Sequence, residues 1–436
     1  MNRVRLSLQR AMRGAALLCA ASLAGQSFEA EAQQCDGRDW EAGGVISNEN
    51  LDCAVQGTFH GHKIGEMIPE KIAWQIREKD LNITLADPTP LAVDYRIREW
   101  TQKNRGRVEF NEATRTVSGW KAGVPFPDID LNDPFAGIKV AWNYTYGVPR
   151  GDTQALYKFV FGLVDGDTGI ERVQRWGYIR KYYKGVLGNQ GPTLGDGEVF
   201  DKTLLVAFSP HDIKGLGTLT IRYDTGRLND IWAYIRTVRR VRRLSGGAWF
   251  DVIGGTDVLQ DNIETFNAYP TWYPKYKMLG RRTVLAMAHG TAPAWIEDAD
   301  NYVNMFPRVD VSNPPYWNPI ETWEPRDVYV VEAIPPKEHP YSKKVWYVDA
   351  EAWRPYFMEG YDKKGELWQF QHYSTGEYPV ADDPEGSALL TWTGITVDFQ
   401  RNHATFFAAH DSWVMSVPVE NDEVSIGALE SGGNLR

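Results

Sequence analysis

The chain has 436 residues and a formal net charge of −10, with 17 Trp, 21 Tyr and 17 Phe set among 40 Gly and 24 Pro. A protein this acidic will not track a phosphate backbone, which argues against nucleic acid as a partner. No stretch beyond the N-terminus is apolar for long enough to span a bilayer as a helix, so a helical membrane protein is excluded too. The aromatic and turn-forming content suits a sheet-rich protein, and the length allows one large domain or two smaller ones.

In chain order, the first 32 residues read as a secretory signal. Arg3, Arg5, Arg10 and Arg13 form the basic start, residues 15–24 a short apolar run, and Ala30-Glu31-Ala32 the small-x-small pattern for cleavage before Gln33. Cys19 does not make a lipoprotein site, because Leu17 and Leu18 stand where small residues are required. Cleavage removes four Arg and two Glu and leaves Cys35 and Cys53, which an oxidising periplasm favours as a disulfide over a metal or redox pair.

The expected units are the signal peptide (1–32), an N-terminal cysteine segment (33–63), one β-rich domain (64–415) and a loosely ordered tail (416–436). Ile64, Ile68, Ile72 and Ile76 form an apolar helical stripe, and Val93, Ile97 and Trp100 fit a second helix. Residues 107–110 and 115–120 look like a hairpin. Asp133-Pro134 pairs an N-cap with a first-turn proline and opens a helix whose inner face is Phe135, Ile138 and Trp142.

From Ala155 the period becomes two. Strands are expected over 156–164, 171–183, 203–208, 217–223 and 231–241, then over 282–288, 327–334, 344–349, 356–361, 367–373 and 388–397, with a short helix after Gly255-Thr256-Asp257. The fold class is mainly β with a few helices (α+β): a strongly curved antiparallel sheet, or open half-barrel, covered by helices, whose apolar inner face could hold a ligand.

Catalytic signatures are missing: there is no G-x-S-x-G elbow, H-E-x-x-H pair, phosphate loop or dinucleotide fingerprint, so neither an enzyme nor a cofactor is expected. His60-Gly61-His62 with Glu66 could offer metal ligands, but a polar loop is the plainer reading. Asp165-Gly166-Asp167-Thr168-Gly169 begins like a calcium loop without its later acidic positions, and a hairpin turn accounts for it. Arg236, Arg239, Arg240, Arg242 and Arg243 form a basic cluster that reads either as a solvated strand end or as a docking patch for an acidic partner or lipid headgroups.

Several stretches resemble domain-of-unknown-function family 1329, often labelled outer membrane lipoprotein-sorting protein. They are Gly119-Trp120-Lys121-Ala122-Gly123-Val124-Pro125-Phe126-Pro127, Asp133-Pro134 to Ala141-Trp142-Asn143, Arg239 to Leu244, Gly255-Thr256-Asp257, and Lys344 to Asp349 with Gly365-Glu366-Leu367-Trp368. The resemblance spans about Ile64 to Tyr373. It implies a fold like the periplasmic lipoprotein carriers, with helices plugging the concave side of an open sheet. It also implies hydrophobic cargo, and work beside an inner-membrane exporter and an outer-membrane partner. It carries over no catalytic residue.

The expected function is therefore a periplasmic carrier for a lipid-like or other hydrophobic molecule. Trp142, Tyr144, Trp232, Tyr234, Trp346 and Trp368 are the aromatics expected to line its cavity. The alternative is a secreted carbohydrate-active enzyme or sugar binder, which would need two carboxylates in a cleft. An outer-membrane β-barrel is disfavoured because the chain ends in Asn434-Leu435-Arg436 rather than an aromatic.

Overall fold

The computed structural model describes residues 37–147, 153–187, 191–235, 238–244, 249–292, 294–295, 305–306, 308–380, 383–409, 413–415 and 419–432. The expected signal segment, Cys35 and Arg236 lie outside them. Cys35–Arg436 form one compact unit, and Cys53 is disulfide-bonded.

Among the described residues the α-helices are α1 (Leu51–Ala54), α2 (Ile64–Met67), α3 (Glu70–Glu78), α4 (Tyr95–Asn104), α5 (Ala136–Gly147) and α6 (Ile426–Glu430), and sixteen strands build the main sheet. In chain order they are β1 (Val45–Ile46), β2 (Ile83–Leu85), β3 (Thr153–Asp165), β4 (Gly169–Tyr182), β5 (Val199–Ser209), β6 (Gly217–Tyr223), β7 (Asp230–Ile235) and β8 (Arg240–Arg243). There follow β9 (Lys275–Ala286), β10 (Thr322–Ile334), β11 (Lys343–Asp349), β12 (Pro355–Tyr361), β13 (Leu367–Val380), β14 (Asp383–Asp398), β15 (His403–Ala409) and β16 (Trp413–Met415). Two antiparallel meanders, β3 to β8 and β10 to β15, are joined where β15 pairs with β3. The sheet is mainly antiparallel, strongly curved and not closed into a barrel.

Most central strands are covered on both faces, so they read as continuous apolar runs. Along β10, Val328 and Val330 pack on one face with Ile64, Ile68, Ile72 and Ile76 of the N-terminal helices. Tyr329 and Val331 pack on the other face with Val140, Ala141 and Tyr144 of α5 (Ala136–Gly147). Every residue of α5 except Lys139 is buried, as expected for a helix that is apolar all round. Its start matches the sequence: the Asp133 carboxylate accepts from the Phe135 N–H at 2.8 Å.

Elsewhere the outcome departs from the pattern. The isoleucine stripe is broken at Pro69: Ile64 lies on α2 (Ile64–Met67), Ile68 caps it in an extended conformation, and Ile72 and Ile76 lie on α3 (Glu70–Glu78); all four isoleucines still reach one core. The strand expected over 231–241 is instead the hairpin β7–β8, with Trp232 opposite Arg243 and Tyr234 opposite Val241; Arg239 turns the chain at φ 49°. The 3₁₀ turn Gln260–Thr265 stands where a helix was expected after Asp257. Strand β15 went unread because His403-Ala404-Thr405-Phe406-Phe407-Ala408-Ala409 is buried on both faces and does not alternate. Near the C-terminus, α6 (Ile426–Glu430) seats Leu429, with Val419 and Val424, against Ala155, Leu204 and Leu219.

Candidate functional site

Residues 249–267 run over the inner face of β3–β6 and β13–β15 and leave a partly open cavity of about 140 Å³ beneath them. Its wall is segregated by strand register. Gln154, Arg180, Thr203 and Thr220 stand side by side on β3, β4, β5 and β6, forming a polar row. One step along the strands, Leu156, Tyr178, Leu205 and Thr218 form the next row, which leads to Phe159, Phe161 and Phe407. Ile253, Val258 and Ile263 close the apolar end from the cover.

The cover is held to the sheet by buried polar contacts, several from the stretches quoted above. Lys344 on β11, fully buried, donates to the Asp261 carboxylate at 2.9 Å, the Asn262 side chain at 3.1 Å and the Thr265 carbonyl at 3.0 Å. Asp261 also accepts from the Tyr273 hydroxyl and faces His339 Nε2 at 3.1 Å. Burial alone would raise the Asp261 pKa, but Lys344, His339 and Tyr273 hold it well below the usual carboxylate range. Burial also pulls the Lys344 ammonium below its ordinary value, against the attraction of Asp261. The two shifts oppose each other in proton balance, and the geometry supports a charged, hydrogen-bonded pair.

A second anchor is Gly255-Thr256-Asp257. The Asp257 carboxylate accepts from Thr405 at 2.7 Å and meets His403 Nδ1 at 2.6 Å, and its N–H donates to Thr405 Oγ1 at 3.0 Å. Glu264 is a third: it accepts from Arg354 at 2.8 Å and Thr391 at 3.1 Å, and these partners keep it ionised despite burial. Glu264 and Thr265 take positive φ of 49° and 71°, a strain such contacts sustain. The G-x-P-F-P stretch locks α5: Asn143 exchanges two hydrogen bonds with the Phe126 backbone, at 2.8 and 2.6 Å, and Trp120 stacks on Tyr146 with ring centroids 3.8 Å apart.

None of the six aromatics named from the sequence lines this cavity. Trp142, on α5, is buried, its N–H donating to the Arg115 carbonyl. The Tyr144 hydroxyl donates to the Glu264 carbonyl, and Trp346 stacks on Phe266 at 4.5 Å beneath the cover. Trp368 donates to Asp398 at 2.9 Å. Trp232 and Tyr234 lie on the opposite face of β7, against the C-terminal segment, while their neighbour Ile231 points into the cavity. The one sequence signal for the residues that line this cavity is strand parity around Arg180 and Arg222, cations on alternate strands that are only 11% exposed.

His60 pairs with Asp87 at 2.8 Å in a hairpin turn, and among the described residues no cluster of three or more His, Cys, Asp or Glu could hold a metal. The Asp165–Gly169 stretch is the β3–β4 turn, its Asp165 carboxylate accepting from the Asp167 and Thr168 N–H groups. Of the arginine cluster, Arg239, Arg240, Arg242 and Arg243 are all exposed, and Arg243 also pairs with Asp230 and lies over Trp232. Among the described residues no helix is long and apolar enough to cross a membrane.

A family model described as a protein of unknown function (DUF1329) matches residues 62–427. Among solved structures, a domain from Vibrio parahaemolyticus named after outer membrane lipoprotein sorting is 17% identical, with a TM-score of 0.47, covering 68% of this chain and 100% of its own. A DUF1329 family protein from Desulfovibrio piger is 18% identical with the same TM-score and coverage. A LolA superfamily protein from Nitrosomonas europaea is 13% identical, with a TM-score of 0.37, covering 64% of this chain and 91% of its own. No curated protein matches.

Proposed function

The chain belongs to the DUF1329 family of proteins of unknown function, and we propose that it is a periplasmic carrier for a lipid-like or other hydrophobic molecule. The observation that carries this reading is the cavity: an aromatic and aliphatic wall on the inner face of a curved sheet, under a cover held by buried polar anchors. Apolar pockets with a few convergent polar groups are what small hydrophobic ligands require. The N-terminal signal pattern supports export, and a Cys35–Cys53 disulfide would suit that compartment.

A polysaccharide-cleaving enzyme is less well supported. It would need two carboxyl groups across a cleft; the described wall of this cavity carries one, Glu264, paired with Arg354, and in the groove that carries Glu70, Glu332 and Glu359 each is already held, by Lys71, by Lys343 and by the Tyr347 and Tyr361 hydroxyls. Arg239, Arg240 and Arg242, exposed beside an edge strand, supply a docking patch for an exporter, an outer-membrane partner or anionic headgroups. Native mass spectrometry of protein purified from periplasm, followed by organic extraction, tests the carrier reading. A co-purifying hydrophobic molecule released by extraction is expected; protein that arrives empty and takes up no added amphiphile would refute it.

A further inference from the structure

The polar end of the cavity, where Arg222 stands one register step beyond the row of Arg180, carries a charge imbalance. Arg180 and Arg222 both reach into the space, their side chains only 11% exposed. They share a single fully buried carboxylate: Asp201 lies 3.8 Å from Arg180 Nε and 3.3 Å from Arg222 Nη1. Arg180 Nε also donates to Thr203 at 3.0 Å, and Arg222 Nη1 to Asn267 at 3.0 Å. The remaining lining charge, Glu264, is neutralised by Arg354. Two guanidiniums against one carboxylate leave a surplus positive charge in a largely apolar enclosure, where an unbalanced ion is costly.

We infer that the cavity takes an acyl-chain amphiphile with an anionic oxygen head, the head at Arg180 and Arg222 and the chain running toward Phe159, Phe161 and Phe407. The inference rests on the carrier reading and adds the cargo's charge to it. An oxyanion head supplies the missing negative charge and accepts from planar guanidiniums in the geometry they favour. The row order sets the polarity: each step from Arg180 to Tyr178 and from Thr203 to Leu205 moves from the polar row to the apolar one. Thr220 and Gln154, in the same row as Arg180, offer the head further donors.

The test compares three ligands of equal chain length by calorimetry on the mature protein: palmitate, methyl palmitate and hexadecyltrimethylammonium. Palmitate is expected to bind at least about tenfold more tightly than the ester, and the cation most weakly. The Arg180→Gln and Arg222→Gln variants should each lose most of that preference. Palmitate and lysophosphatidate compared in the same format separate a carboxylate from a phosphate head. If all three ligands bind equally, the anionic-head inference falls and the carrier reading stands; if none binds, both fall. A palmitate preference that survives in both variants would also overturn the placement of the head, provided circular dichroism shows the variants folded.

Discussion

Replacing Lys344 with Met should loosen the cover from beneath. The ammonium makes three hydrogen bonds to the cover, and both it and Asp261 are 0% exposed. Met fills similar volume but leaves the Asp261 carboxylate buried with only Tyr273 and His339. Removing one member of a buried ion pair costs about 3–5 kcal/mol. Exchanging both members for neutral groups costs far less, so Asp261→Asn in the Lys344→Met background should recover about 2 kcal/mol or more. Urea titration followed by tryptophan fluorescence gives the free energies, and hydrogen exchange over residues 255–267 reports the cover directly. A Lys344→Met cost below about 1 kcal/mol, or single costs that add within about 0.5 kcal/mol in the double variant, would refute the latch.

Three further outcomes follow from named contacts. His372 is buried against Gln75, and burial pushes its pKa down to about 3. Because the folded value lies below the unfolded one of about 6.5, stability is full above that pH and falls as pH drops toward 3, by at most about 1.4 kcal/mol per unit. His372→Gln should flatten that slope in acid-unfolding curves, and an unchanged slope would contradict the assignment. A Cβ at Gly119 would sit 2.4 Å from the Arg107 carbonyl at φ 76°, whereas at Gly106, φ 71°, it meets nothing within 4 Å. Gly119→Ala should therefore cost more than Gly106→Ala, which bears only the left-handed penalty of about 1–2 kcal/mol; equal shifts in melting temperature would count against the close approach. Changing Arg240 and Arg242 to Ala should leave the melting temperature unaltered but weaken salt-sensitive binding to anionic vesicles, and unaltered binding would remove the docking patch.

The sheet was legible because turn residues and period-two runs mark its outer strands: the expected 217–223 is β6 to the residue. The helix at Asp133-Pro134 was legible from its cap. What escaped had physical reasons. Strand β15 is buried on both faces, so alternation vanishes. The hairpin inside 231–241 turns at Arg239, a residue with no turn signature. The lining residues escaped because aromatic content does not tell core from cavity. Trp142 on α5 and Trp346 beneath the cover fill core, while Thr203, Thr220 and Arg180, unremarkable in sequence, face the void. Parity decides at β7, where one residue separates Ile231 in the cavity from Trp232 on the other face.

Blocking the cavity tests most directly whether it is the binding site. Leu205→Trp, placed in the middle of the apolar row, fills much of that space from a position that lines it. Titration of a neutral, environment-sensitive apolar fluorophore into wild type and variant should show saturable, one-to-one enhancement in the wild type and at least about a tenfold loss in the variant, with folding unchanged by circular dichroism. Equal binding by both proteins would contradict the account, since the ligand would then lie elsewhere.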